Sequence, residues 1–170
     1  MHRMVFGEYP LTKILGDCAA AVSLLESLPD VDASRIEVFG HSFGGNTTLF
    51  HAALDARITF ACASGAACSC RHKLEHDTGL EMALVVPGIA NLLDVVDLVR
   101  CICPRRLLIV SSEDAPYSAD ASAIIGEARP SYEATGRGQY LEHLRTPGGH
   151  GLEETRFAAI GSWLTIAASH

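Results

Sequence analysis

The stretch Arg35-Ile36-Glu37-Val38-Phe39-Gly40-His41-Ser42-Phe43-Gly44-Gly45 runs a short apolar segment straight into Gly-x-Ser-x-Gly and from there into a helical pattern. Few folds can use such a juncture. A serine between glycines at a strand-to-helix turn sits on a sharp bend, where small neighbours permit a strained backbone and close approach of adjoining elements. The Ser42 hydroxyl is thereby lifted above the end of a strand, at the positive end of the following helix.

The rest of the chain supplies the sheet that this turn needs. Apolar positions Ile14, Leu15, Cys18, Ala21, Val22, Leu24 and Leu25 repeat at helical spacing, predicting an amphipathic helix from about Lys13 to Leu28, stopped by Pro29. Residues 1–12, broken by Gly7, Tyr9 and Pro10, read as an irregular entry loop. After the elbow, Asn46 to Ala56 reads as a helix and Ile58 to Ala63 as a second strand. Residues 66–104, rich in Cys, His and charge in their first half, form an excursion or cap, with helical periodicity from Asn91 to Arg100. Leu107 to Val110 is a third strand of the fully buried kind, Ala119 to Ala128 a small helix, Tyr140 to Leu144 a fourth strand, and Leu152 to Ala167 a closing amphipathic helix. Strands alternating with helices predict one α/β domain: a parallel sheet of about four main strands in sequential order, with helices on both faces.

A nucleophilic serine needs a base, and the base an orienting acid. Loops after successive parallel strands converge on one edge of the sheet, so the candidates lie after the third and fourth strands. His150, between Gly149 and Gly151, is the candidate base, and Asp114 in Ser111-Ser112-Glu113-Asp114 the candidate acid, with Glu113 and Asp120 as fallbacks. His41 is expected to pack beside the elbow and His51 to be structural.

Charge and cysteine content narrow the function classes. A formal net charge of -7 with no long run of one sign argues against a nucleic-acid or anionic-membrane surface. No basic-then-apolar leader opens the chain and no apolar stretch is long enough for a membrane span, which points to the cytoplasm. The six cysteines fall mostly in apolar segments and read as reduced packing residues. Cys68, Cys70 and His72, with Cys101 and Cys103, offer a weaker zinc-binding alternative, but C-x-C pairs depart from the usual C-x₂₋₄-C ligand spacing.

The order Ser42, Asp114, His150 is the Ser, acid, His order of the α/β-hydrolases. Gly40 to Gly45, the Pro104-to-Val110 strand approach, Pro147-Gly-Gly-His-Gly151 and the Leu28-to-Ile36 segment ahead of the elbow resemble the dienelactone-hydrolase and acetyl-xylan-esterase-like branch of that superfamily, over nearly the whole chain from about Gly16. The resemblance implies the carboxyl-terminal part of the fold, with two departures. Members carry strands ahead of this helix, with an oxyanion donor on them, so only the Phe43 amide carries over. Ser111 stands where members have a glycine three residues before the acid.

The motifs and the resemblance together imply a serine hydrolase acting on a small ester or related acyl substrate through Ser42, His150 and Asp114, with no cofactor. The alternative is a truncated, catalytically weak hydrolase-like domain serving as a binding or assembly module. A nucleophile strand lacking its usual outer neighbour would then be rescued by a homodimer through that edge.

Overall fold

The computed structural model describes residues 2–167. Among the described residues four strands, β1 (Ile36–His41), β2 (Ile58–Ser64), β3 (Arg106–Ser112) and β4 (Leu141–Thr146), form one sheet in the order β1-β2-β3-β4, every neighbouring pair parallel. Among the described residues seven α-helices connect and flank them: α1 (His2–Val5), α2 (Pro10–Glu26), α3 (Phe43–Leu54), α4 (Cys70–Glu75), α5 (Val95–Ile102), α6 (Ala121–Ala134) and α7 (Glu154–Ala167). No helix among the described residues is long and apolar enough to cross a membrane.

Side chains alternate between the two faces of the sheet, and both faces are apolar because both are covered. Ala61, Ala63, Leu107 and Ile109 join the larger core with Leu49 of α3, Val99 of α5 and Ile125 of α6. Cys62, Leu108 and Val110 point the other way, onto Ile160 of α7, with Phe39 and Trp163 packed at the margin. Among the described residues the second layer is thus the single helix α7, and Phe157 on that helix stays 56 % exposed.

Element edges differ from the sequence reading in several places. The entry segment is not a loop: α1 and then α2 form there, and Pro10 begins α2 rather than breaking it, because a proline in the first turn gives up an N–H that has no helical acceptor anyway. The helix α3 starts at Phe43, immediately after the serine. The helix α6 runs through Pro130 to Ala134. An interior proline costs roughly 3 kcal/mol or more, and the complete burial of Ala128 and Tyr132 on either side of it offsets that cost.

Within the excursion, α5 behaves as an ordinary crossover helix, burying Val95, Leu98, Val99 and Ile102 in the main core. Residues 66–94 form the part that rises over α3. Two carboxylates pin it down. Asp120 accepts from the Ser69 amide and from Ser69 Oγ at 2.6 Å. Asp94 caps α5 in a reciprocal box with Asp97 and also accepts from the Cys70 amide at the start of α4 (2.9 Å).

Candidate active site

Ser42 occupies a backbone position that an L-residue adopts only under constraint, φ 57° and ψ -121°, a distortion of order 1–3 kcal/mol. The surroundings hold it there. The Ser42 amide donates to the Ser64 carbonyl of β2 (2.8 Å), and its own carbonyl accepts from Asn46 one turn into α3 (3.1 Å). Gly40 is required sterically, since a Cβ there would lie 2.1 Å from the Gly44 carbonyl oxygen. Gly45 is required too, because its Cβ would meet Ala66 Cβ and the Ser64 oxygen at 2.7 Å. Gly44, the second glycine of the motif, has open space instead.

The loop after β4 brings His150 to this turn: Nε2 lies 2.7 Å from Ser42 Oγ. Arg156 of α7, only 3 % exposed, fixes that loop from beneath. Its guanidinium donates to the carbonyls of Gly149 (3.0 Å), His150 (3.4 Å) and Gly151 and to Thr146 Oγ1 (3.0 Å). On the other side the Tyr117 ring stands 4.6 Å and the His41 ring 5.1 Å from the His150 ring, centroid to centroid. His41 is itself tied through Nδ1 to Ser64 Oγ (3.0 Å), so it packs beside the elbow as expected. Gly65, at φ 57°, leaves room for both imidazoles.

Burial pulls the His150 pKa below its ordinary value, and the nearby Arg156 cation lowers it further, while the Glu81 carboxylate opposes both. Near neutral pH the imidazole is therefore largely unprotonated, the form that can accept a proton from Ser42. Burial likewise lowers His41. Phe43 is the first residue of α3, so its N–H has no intrahelical acceptor and points out of the helix beside Ser42. That is the position from which it could bind an oxyanion.

The acid side is different. His150 Nδ1 is buried and has no hydrogen-bond partner among the described residues. Asp114 is exposed, and the contact that joins its loop to the histidine loop is its backbone amide, which donates to the Gly148 carbonyl (3.2 Å). The expected link from the Asp114 carboxylate to His150 is not made, because the side chain stays in water while the backbone does the docking. Glu113 is also exposed, its amide given to Thr146, and Asp120 is committed to Ser69. Ser111, at the glycine-like position, pairs through Oγ with His143 Nε2 (2.8 Å). No three His, Cys, Asp or Glu side chains among the described residues are placed to share a metal ion, and burial pushes the Cys68 thiol up to about 12.

Gly65, Tyr117, Glu81 and Arg156 belong to the site's surroundings but carried no motif. Each comes from a different element, so only the folded chain assembles them.

Comparison with known proteins bears on the fold that carries this site. Among solved structures, a glucuronoyl esterase from Solibacter usitatus is 22% identical and superposes over 90% of this chain and 46% of its own, at a TM-score of 0.67. A candidate acetyl xylan esterase from Bacteroides fragilis NCTC 9343, 12% identical, covers 99% of this chain and 51% of its own at a TM-score of 0.79. The fold is that of the α/β-hydrolases. A third member of this fold, a carbohydrate esterase family 15 glucuronoyl esterase from Caldicellulosiruptor kristjansonii, is 19% identical at a TM-score of 0.70, over 90% of this chain and 48% of its own. The chain thus spans about half the length of the solved structures it matches. A sequence model of the acetyl xylan esterase family matches residues 7–69, the part that includes the elbow. No curated protein is significantly similar.

Proposed function

We propose that the chain is a serine hydrolase that cleaves carboxylic esters. The reading rests on one observation above all, the 2.7 Å approach of His150 Nε2 to the oxygen of a serine held at φ 57° on a nucleophile elbow. Ser42 Oγ attacks the ester carbonyl as His150 takes its proton, and the Phe43 N–H donates to the developing oxyanion. Collapse breaks the C–O bond, with the proton passing from His150 to the departing alkoxide. Water then gives its proton to His150, attacks the acyl-Ser42 carbonyl and releases the acid, and the proton returns to Ser42. No cofactor enters the reaction.

The names of the structural relatives make carbohydrate esters, acetyl and glucuronoyl, the first substrates to try. The dienelactone-hydrolase side of the resemblance and a cytoplasmic setting with reduced cysteines belong to the same proposal. With His150 Nδ1 unpartnered among the described residues, the imidazole lacks the acceptor that would favour the tautomer bearing its proton on Nδ1. Loss of that orienting acid is worth about 10⁴ in rate in serine proteases, so turnover by the chain alone is expected to be slow. Ser42→Ala should abolish both fluorophosphonate labelling and hydrolysis of a small chromogenic ester; unchanged activity in that variant would sink the assignment.

A second reading is favoured by the sheet itself. Among the described residues β1, which carries the nucleophile, pairs only with β2 and leaves its other edge open. A homodimer or complementing chain joined along that edge would make this an assembly module. Sedimentation analysis decides: a monomer with steady ester turnover counts against it.

A further inference from the structure

A cavity of ≈ 300 Å³ lies between the excursion and the helices α3 and α5, apart from the Ser42–His150 pair: neither of those residues lines it, nor does Phe43 or Tyr117. Its floor belongs to the main core, with Leu49 of α3 and Leu98 of α5 both buried. The excursion covers it with Leu84 and Val85. Leu74 and Leu80 line it as well yet stay exposed, which gives it an apolar rim toward solvent. Large apolar side chains left in water around a concave apolar surface mark a place where a ligand binds.

The polar groups of the wall decide the charge of the guest. Lys73 Nζ, buried, donates to Glu81 Oε2 (3.2 Å), and Glu81 Oε1 accepts from Asn46 Nδ2 (2.7 Å). Asp94, the other carboxylate of the lining, is committed to the Cys70 and Val95 amides. Each charge on the wall therefore has its partner already. A charged guest would give up its hydration and gain no counter-ion in return. Water is a poor occupant too, because a buried water needs several polar partners and the aliphatic walls supply few.

We propose that this cavity is a binding site for an uncharged, largely hydrocarbon small molecule, distinct from the Ser42 centre. Its volume sets the size: an apolar cavity of about 150 Å³ takes benzene, and at ≈ 300 Å³ this one has room for a molecule of about ten non-hydrogen atoms. Such a ligand touches α3, α5 and the excursion at once, so its binding favours the folded chain by mass action. The inference stands independently of the esterase reading, since no atom of the reaction is involved.

The test is calorimetric titration of the wild-type chain with 1-nonanol, sodium nonanoate and nonylammonium chloride. It is repeated with Val85→Trp, which fills the cavity from the excursion, and with Tyr117→Ala, which alters the His150 side instead; Val85→Phe serves if the larger variant does not fold. The alcohol should bind in a saturable, one-to-one manner, about tenfold or more tighter than either ion, and should raise Tm when present well above its Kd. Filling the cavity should weaken this binding by about tenfold or more, and Tyr117→Ala should leave it unchanged. Absence of saturable binding by the wild type overturns the inference. Tighter binding of either ion overturns it as well, because the charges of the wall would then be open to the guest. Undiminished binding by a folded filled variant, or loss of binding in Tyr117→Ala alone, places the alcohol elsewhere and refutes the assignment of the cavity.

Discussion

Replacing Gly65 by alanine separates the strain in this backbone from the geometry of its chemistry. Gly65 sits at φ 57°, just past β2, and an added Cβ would lie 2.7 Å from His41 Cε1 and 3.1 Å from His150 Cε1. The left-handed backbone alone costs an alanine about 1–2 kcal/mol. For a chain of this size that is a fall in Tm of roughly 2–8 °C. The contacts add a second effect. His150 must recede by a few tenths of an ångström, yet Arg156 holds its loop by three carbonyls and Ser42 is locked to Ser64, so the shift falls on the 2.7 Å Ser42–His150 approach. A 1 Å misplacement can cost about 10² in rate, so a loss of about tenfold or more in kcat is expected, with KM little changed. Gly136→Ala is the control: φ is 69° there, but no atom lies within 4 Å of the added Cβ, at the end of α6. It should lower Tm by a similar amount and leave kcat alone. Thermal melts and initial rates with p-nitrophenyl acetate for both variants make the comparison. Equal kcat in the two variants would refute the claim that Gly65 makes room for His150.

Asp114→Asn should reduce kcat by less than about tenfold, against the roughly 10⁴ expected of a triad aspartate, because its carboxylate makes no bond to His150; steady-state rates decide. The acid limb of kcat/KM should lie below the ordinary histidine pKa of about 6.5, since burial and Arg156 disfavour the imidazolium, and Arg156→Gln should move that limb upward in a pH–rate profile. Stability should decline as pH falls below about 6.5, because His41, His51, His143 and His150 all have lowered values in the folded state. There the unfolded chain takes up protons that the folded chain refuses, and urea titrations at several pH values would record the slope. Asp94→Ala removes the cap of α5 and the acceptor of the Cys70 amide, a loss of about 1–2 kcal/mol, measurable as a lower denaturation midpoint.

The layout of the chain was legible residue by residue because its signals are local. Alternating apolar runs at β2 and β3, helical spacing in α2 and a serine flanked by glycines each report on their own few residues, and parallel order follows from helices between strands. Even the pairing of Ser42 with His150, 108 residues apart, was foreseeable, because loops after parallel strands share one edge of the sheet. Helix ends were less legible at Pro10 and Pro130, where first-turn geometry in one case and tertiary burial in the other outweighed the breaker.

The elbow, the sheet and the candidate base were thus determined by sequence alone. Tertiary structure decided how the base is held and what surrounds it. Whether a carboxylate reaches an imidazole depends on loop paths at ångström scale, and here the Asp114 loop docks through its amide rather than its side chain. The Arg156 clamp, the space at Gly65 and the cavity edged by Asn46, Lys73 and Glu81 join residues from elements far apart in the chain. Their complementarity is a property of packed surfaces, which no local pattern encodes.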